Sequence, residues 1–208
     1  MAREIILVRH GEAYNTVEPD GQREVRDRSN PPLTLRGERQ AVAAAHEVAR
    51  FAPDVVVTSP FLRAAQTAFA YLEIAGTAGT VDVRMSEHFV FDPLAEFGGL
   101  DLDEYRVRFG RRLPVPADLA GLAPFPRFPE APPSVISRVS DLVDEWLART
   151  DWASGVFYGH GATVSALARL LDPGVVGEPP HASLTHLIEQ PSGSWQAVAV
   201  GRVDHLRL

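Results

Sequence analysis

Residues Glu4–Glu12 read EIILVRHGE. Ile5, Ile6, Leu7 and Val8 form a short, uninterrupted apolar run rich in branched side chains, and charged and glycine residues end it abruptly. A run of this length and composition predicts a buried strand. Its carboxyl end delivers Arg9, His10 and Glu12 together, and the carboxyl ends of strands are where open α/β sheets place ligands.

Working outward, strands and helices alternate. Thr34 caps a predicted helix over about Arg36–Arg50, with Ala41, Ala44, Ala45 and Val48 as its apolar stripe. Asp54–Thr58 is a second strand, and Ser59 and Pro60 open a helix to about Tyr71. Val81–Met85 reads as a further strand near the sheet edge, since Asp82 and Arg84 interrupt it. A short helix is expected near Asp103–Phe109. Ser134 is the expected cap of a helix through Arg149. The strand Gly155–Tyr158 and the helix Gly161–Leu171 follow, and Leu184–Glu189 with Trp195–Val200 form a terminal hairpin.

The pattern predicts an α/β fold: a three-layer α/β/α sandwich whose central sheet is mostly parallel with an antiparallel C-terminal edge. It is read as one domain over residues 1–208, with irregular excursions at about 11–32 and 87–133. The second excursion holds seven prolines between Pro114 and Pro133.

Composition narrows the chemistry. The 208 residues include no cysteine and no lysine, so all 20 positive side chains are arginine. Thiolate nucleophiles, cysteine-based metal sites, a P-loop lysine and Schiff-base chemistry are excluded. Arginine's rigid fork suits phosphate or carboxylate. A formal charge of −7 argues against broad nucleic-acid or anionic-membrane binding. The start lacks a signal-peptide pattern and no window is long and apolar enough to span a bilayer, so a cytoplasmic location is expected.

Three strand ends carry the candidate chemistry. The first brings Arg9 and His10. The second, VVVTSPFLRAAQTA, brings Thr58 and Ser59, with Arg63 in the following helix; the third, VFYGHGATVSAL, brings His160 between two glycines at a helix start. Each alone has an ordinary explanation: a solvated Arg–His pair, an arginine paired on its helix, a histidine in a tight turn. Together they suit phosphoryl transfer. Arginines hold the equatorial oxygens, a neutral histidine attacks phosphorus, and a second, protonated imidazole stabilises the developing charge without a metal. A carboxyl group must still protonate the departing alkoxide, and Glu87 and Glu96 are within reach on sequence grounds. His46, His88, His181, His186 and His205 show no convincing ligand spacing, so neither a metal nor a cofactor is expected.

The chain resembles the histidine phosphatase superfamily, also called the phosphoglycerate mutase-like family. The resemblance rests on RHGE at Arg9–Glu12, PLTLRGERQA at Pro32–Ala41, TSPFLRAAQTA at Thr58–Ala68 and GHG at Gly159–Gly161. ASLTHL at Ala182–Leu187 and the terminal DHLRL resemble the family's last strands. It implies that His10 is the covalent nucleophile, that Arg9, Arg63 and His160 form the phosphate pocket, and that Glu87 of the MSE triplet is the general acid, with Glu96 as the alternative. After RHGE the chain departs from the family pattern. Ala13 replaces a threonine and Asn15 comes one residue early, with Thr16 at the strict spacing, so Asn15, Thr16 and Gly161 are the further candidate phosphate contacts.

The implied activity is hydrolysis of a small phosphorylated metabolite through a phosphohistidine. Phosphoglycerate mutase-like transfer is the alternative, and a noncatalytic phosphate-binding or interaction module is a third reading. The tryptophan-rich stretch and longer insertions typical of the mutases find no match in TVEPDGQREVRDRSNPP, residues 16–32. Substrate selection is assigned to the two excursions, through Arg23, Arg26 and Arg28 in the first and Phe125, Arg127 and Phe128 in the second. A homodimer is an expectation from the family resemblance.

Overall fold

The computed structural model describes residues 2–17, 27–118, 121 and 124–207. Six strands form one sheet: β1 (Glu4–Arg9), β2 (Val55–Thr58), β3 (Thr80–Val81), β4 (Ser154–Gly159), β5 (Leu184–Glu189) and β6 (Trp195–Arg202), in the order β3-β2-β4-β1-β5-β6. β3, β2, β4 and β1 run parallel, while β5 and β6 are antiparallel additions at one edge. This is the expected α/β/α arrangement.

β1 lies between β4 and β5 and is covered on both faces, which explains its unbroken apolar run. Ile6 and Val8 face one layer, where they meet Ala44, Ala45 and Val48 of α1 (Leu35–Val48) and Ala65, Ala68 and Leu72 of α2 (Leu62–Ala75). Ile5 and Leu7 face the other. There the cover is Val135, Val139 and Leu142 of α4 (Pro132–Ala148) with Val164 and Leu167 of α5 (Gly161–Leu171). α3 (Leu102–Phe109) extends the first layer through Tyr105 and Phe109. Ile6 and Leu7 are fully buried, and truncating either to alanine should cost about 2–5 kcal/mol.

Several local expectations change. Only Thr80 and Val81 pair as a strand, because the Asp82 side chain accepts the Arg84 amide and turns Val83–Met85 into a 3₁₀ turn. That turn carries Glu87 back toward the sheet end. α4 begins at Pro132 with Ala131 as its cap, so Ser134 lies within its first turn; two prolines whose missing N–H groups need no partner there open the helix. α2 starts at Leu62 and runs on to Ala75, ending where Gly76 takes a left-handed conformation. Thr34 does cap α1, its hydroxyl accepting the Gly37 amide at 3.0 Å.

The first excursion is pinned at both described ends. Ala13 bridges Leu33, and the Glu12 carboxylate accepts the Thr34 hydroxyl at 2.8 Å. Gly11 and Gly37 let these segments touch, since a Cβ at Gly37 would overlap the Glu12 carbonyl. Arg23 and Arg26 lie outside the described residues.

Candidate active site

The carboxyl ends of β1, β2 and β4 open on one cavity of about 730 Å³, whose lining includes Arg9, His10, Asn15, Thr16, Arg63, Glu87 and Gly161. The structure therefore brings together the first-, second- and third-strand candidates. Arg63, His10, His160 and Glu87 are buried, and Asn15 and Thr16 stand at the exposed rim. Glu96 does not join them: it is exposed, in the 3₁₀ segment Asp92–Glu96, and it does not line the cavity.

His10 follows the last residue of β1, and its Nδ1 lies 2.7 Å from the Gly11 carbonyl oxygen. A carbonyl can only accept, so Nδ1 carries the proton and Nε2 keeps its lone pair. Arg63 Nε donates toward that lone pair at 3.3 Å. Burial, then the positive charge of Arg63 and that of His160 when protonated, push His10 well below the ordinary imidazole range. The ring is consequently neutral at physiological pH.

Arg63 is completely enclosed in the first turn of α2, with one terminal nitrogen 3.2 Å from Glu87 Oε2 and its other, Nη1, without a hydrogen-bond partner among the described residues. Arg9 donates through Nη1 to the Pro179 carbonyl and pairs with Glu178, both at 2.8 Å, and its buried Nε also has no partner among the described residues. A buried donor left bare costs about 1–3 kcal/mol, which an oxyanion in the cavity would relieve. His160, the residue before α5, holds Ser59 Oγ through Nε2 at 2.8 Å and faces Glu87 Oε2 through Nδ1 at 3.2 Å. Burial pushes His160 down to about 4 despite the opposing carboxylate, so in the resting protein this second imidazole is neutral, not protonated as the sequence reading expects.

Burial would raise the Glu87 carboxyl, but His160 when protonated and Arg63 always overcome this and hold it well below the usual carboxylate range. Its backbone is fixed from behind: Arg138 of α4 donates to the Glu87 carbonyl at 3.1 Å while gripping the buried Glu130 carboxylate at 2.8 and 3.1 Å. His10, Glu87 and His160 also bring one ligand atom each within 4.8 Å of one another. The Arg63 guanidinium bonded to two of the three puts a permanent cation there, a setting that suits an anion better than a metal ion.

Two neighbours were not singled out by sequence. His181 packs its ring 5.4 Å from that of His10, and burial and Arg9 push it down to about 4. Glu178 reaches over the start of α5, where a Cβ at Gly161 would collide with its carboxylate. Both belong to the segment that the antiparallel β5 draws back to His10, whose carbonyl accepts the Ala182 amide at 3.0 Å. Neither carries a local sequence signal.

The model of the histidine phosphatase superfamily (branch 1) matches residues 5–200. A glucosyl-3-phosphoglycerate phosphatase of Mycolicibacterium vanbaalenii is 29% identical over 178 residues, which are 81% of this chain and 74% of that protein. Among solved structures, one described as mycobacterial hydrolase 1 is 26% identical with a TM-score of 0.68, covering 97% of this chain and 99% of its own. A native mycobacterial glucosyl-3-phosphoglycerate phosphatase shares the fold at 24% identity and a TM-score of 0.68, covering 98% of this chain and all (100%) of its own.

Proposed function

The chain belongs to the histidine phosphatase superfamily, and from that premise we propose that it hydrolyses small phosphomonoesters by way of a phosphohistidine on His10. His10 Nε2 attacks phosphorus, the P–O bond to the alcohol breaks, and the departing oxygen takes a proton from Glu87. Arg9, Arg63, His160 and the start of α5 at Gly161 hold the three equatorial oxygens, with Asn15 and Thr16 adding contacts from the rim. In the second half, Glu87 takes a proton from water, whose oxygen attacks phosphorus as the Nε2–P bond breaks, releasing phosphate and returning His10 to its neutral form.

The observation that carries this reading is the buried His10 ring, its Nδ1 proton committed to the Gly11 carbonyl and its Nε2 beside Arg63. A nucleophile needs that lone pair, and burial keeps it unprotonated. Glu87 is ionised in the resting protein, so its proton must arrive with the substrate. A phosphate monoester carrying one proton supplies it, and the added negative charge beside Glu87 raises the carboxyl's affinity for it.

Relatives named for glucosyl-3-phosphoglycerate phosphatase activity support hydrolysis of a small phosphorylated metabolite. Trapping of a phosphoryl group on the wild-type protein, its loss in His10→Ala, and release of inorganic phosphate from a broad monoester panel test the proposal. Positional transfer without phosphate release would favour a mutase. Absence of both a covalent species and turnover would leave only a phosphate-binding module.

A further inference from the structure

The cavity is much larger than a phosphoryl group, and beyond Glu87 its lining changes character. Phe91 and Leu94 come from the segment after Glu87, Val135 and Ile136 from the first turn of α4, and Ala166 and Leu170 from one stripe of α5. Phe91 is 58%, Ile136 51% and Leu170 38% exposed, so three large apolar side chains face water around one opening. Burying such surface against a ligand is favourable in proportion to the area covered.

The polar side chains on this wall are largely committed elsewhere. Arg169 donates to the carbonyls of Val175 and Gly177 at 3.3 and 3.0 Å, and His88 Nε2 is 2.9 Å from the Glu130 carbonyl oxygen. These bonds hold the two heads on backbone and leave mainly their carbon surfaces to face a bound molecule. A sugar would bury hydroxyls against hydrocarbon here, and a carboxylate would find the wall's Arg169 already held by two backbone carbonyls.

We infer that this wall receives the alcohol part of the substrate and that this part is apolar, so that the site selects alkyl or aryl phosphomonoesters over sugar phosphates and phosphorylated carboxylic acids. This rests on the phosphatase reading for where the phosphoryl group sits, and on the wall alone for what lies beyond it. The competing arrangement is a second anionic group meeting Arg28, which also lines the cavity.

Alkylphosphonates, which bind without being hydrolysed, separate the two claims. Calorimetry on the intact protein should find hexylphosphonate bound at least about 20-fold more tightly than ethylphosphonate, since four methylenes at about 0.8 kcal/mol each allow roughly 200-fold if wholly buried. The double variant Ile136→Ser, Leu170→Ser should bring that ratio to within about threefold; both side chains are exposed, and Phe91→Ser offers an independent route to the same loss. Equal affinities, tighter binding of 2-carboxyethylphosphonate than of hexylphosphonate, or no millimolar binding of hexylphosphonate would overturn the inference. Hexyl phosphate supplies the other arm. Tight hexylphosphonate binding with no hydrolysis of hexyl phosphate and no phosphohistidine would sink the phosphatase reading while leaving the apolar subsite standing.

Discussion

The two ends of the cavity are built by different rules. At the inner end, His10 and His160 follow strand ends, Arg63 lies in the first turn of α2 and Glu87 follows a 3₁₀ turn; all four are buried and make hydrogen bonds or close ionic contacts with one another. At the outer end, Phe91, Ile136 and Leu170 are half in water, the first just before a 3₁₀ segment and the other two on helix surfaces. The difference assigns the work: a charge-changing reaction needs groups whose geometry and protonation are set before the substrate arrives, whereas recognition of an apolar body needs only covered area. Substitutions inside should act on kcat, and substitutions outside on KM.

The strongest way to break this contrast is at the proposed nucleophile. His10→Ala should lower kcat/KM on the order of 10⁴-fold or more for every monoester, with loss of the trapped phosphoryl group. A variant retaining a tenth of the activity would show that the inner end is not organised around His10. Glu87→Gln should come next, slowing alkyl phosphates about 10²–10³-fold but p-nitrophenyl phosphate far less, because that leaving group needs little protonation. The same leaving-group dependence in Glu96→Gln would reassign the acid to an exposed side chain outside the cavity.

Arg138 tests whether the inner end depends on support beyond the reacting groups. It grips the Glu87 carbonyl and the Glu130 carboxylate, so Arg138→Gln should let the acid drift. The expected result is roughly a tenfold fall in kcat for alkyl phosphates, with a smaller effect on p-nitrophenyl phosphate and partial rescue in Arg138→Lys. A uniform fall across both substrates, matching a drop in melting temperature, would make Arg138 a stabilising residue only.

The same contrast explains what could be read in the chain. β1, β2 and β4 were legible because each is an apolar run that stops at polar or glycine residues, and the motifs at those stops carry His10, Arg63 and His160. Glu87 was legible only beside a rival, since the turn that aims it depends on Asp82 accepting the Arg84 amide rather than on periodicity. His181 and Glu178 were hidden because an antiparallel strand from the far end of the chain brings them to His10. The outer wall was hidden for a different reason: Phe91, Ile136 and Leu170 are scattered in sequence, and isolated exposed apolar residues are ordinary until a fold groups them.

Acid should expose the inner end selectively. The folded protein keeps His160 and His181 at about 4, and His10 well below the ordinary value of 6.5, chiefly through burial. Between pH 6.5 and about 4 the unfolded chain therefore binds protons that the folded chain refuses. Their contribution is complete above 6.5 and is lost as the pH falls. Glu87 acts in the same direction below 4.5, where its unfolded form gains a proton first. Melting temperature should fall steadily from pH 7 to pH 4, less steeply in His181→Asn. A flat profile would mean that the buried imidazoles are protonated without cost.

The smallest expected effect lies where the two ends meet. Glu178 Oε1 is 2.8 Å from Arg9 Nη1 and lies close to Gly161 at the start of α5, so an incoming phosphate meets a carboxylate already paired with one of its own partners. The Glu178 side chain is 65% exposed, and an ion pair with one partner so open to solvent is weak, about 1 kcal/mol or less. Glu178→Gln should therefore tighten inorganic phosphate inhibition by only about two- to fivefold, less at high salt, while the hexyl-to-ethyl ratio stays as in the wild type. Weaker phosphate inhibition would show instead that Glu178 holds Arg9 in its binding position, and a changed ratio would mean that the inner and outer ends are not independent.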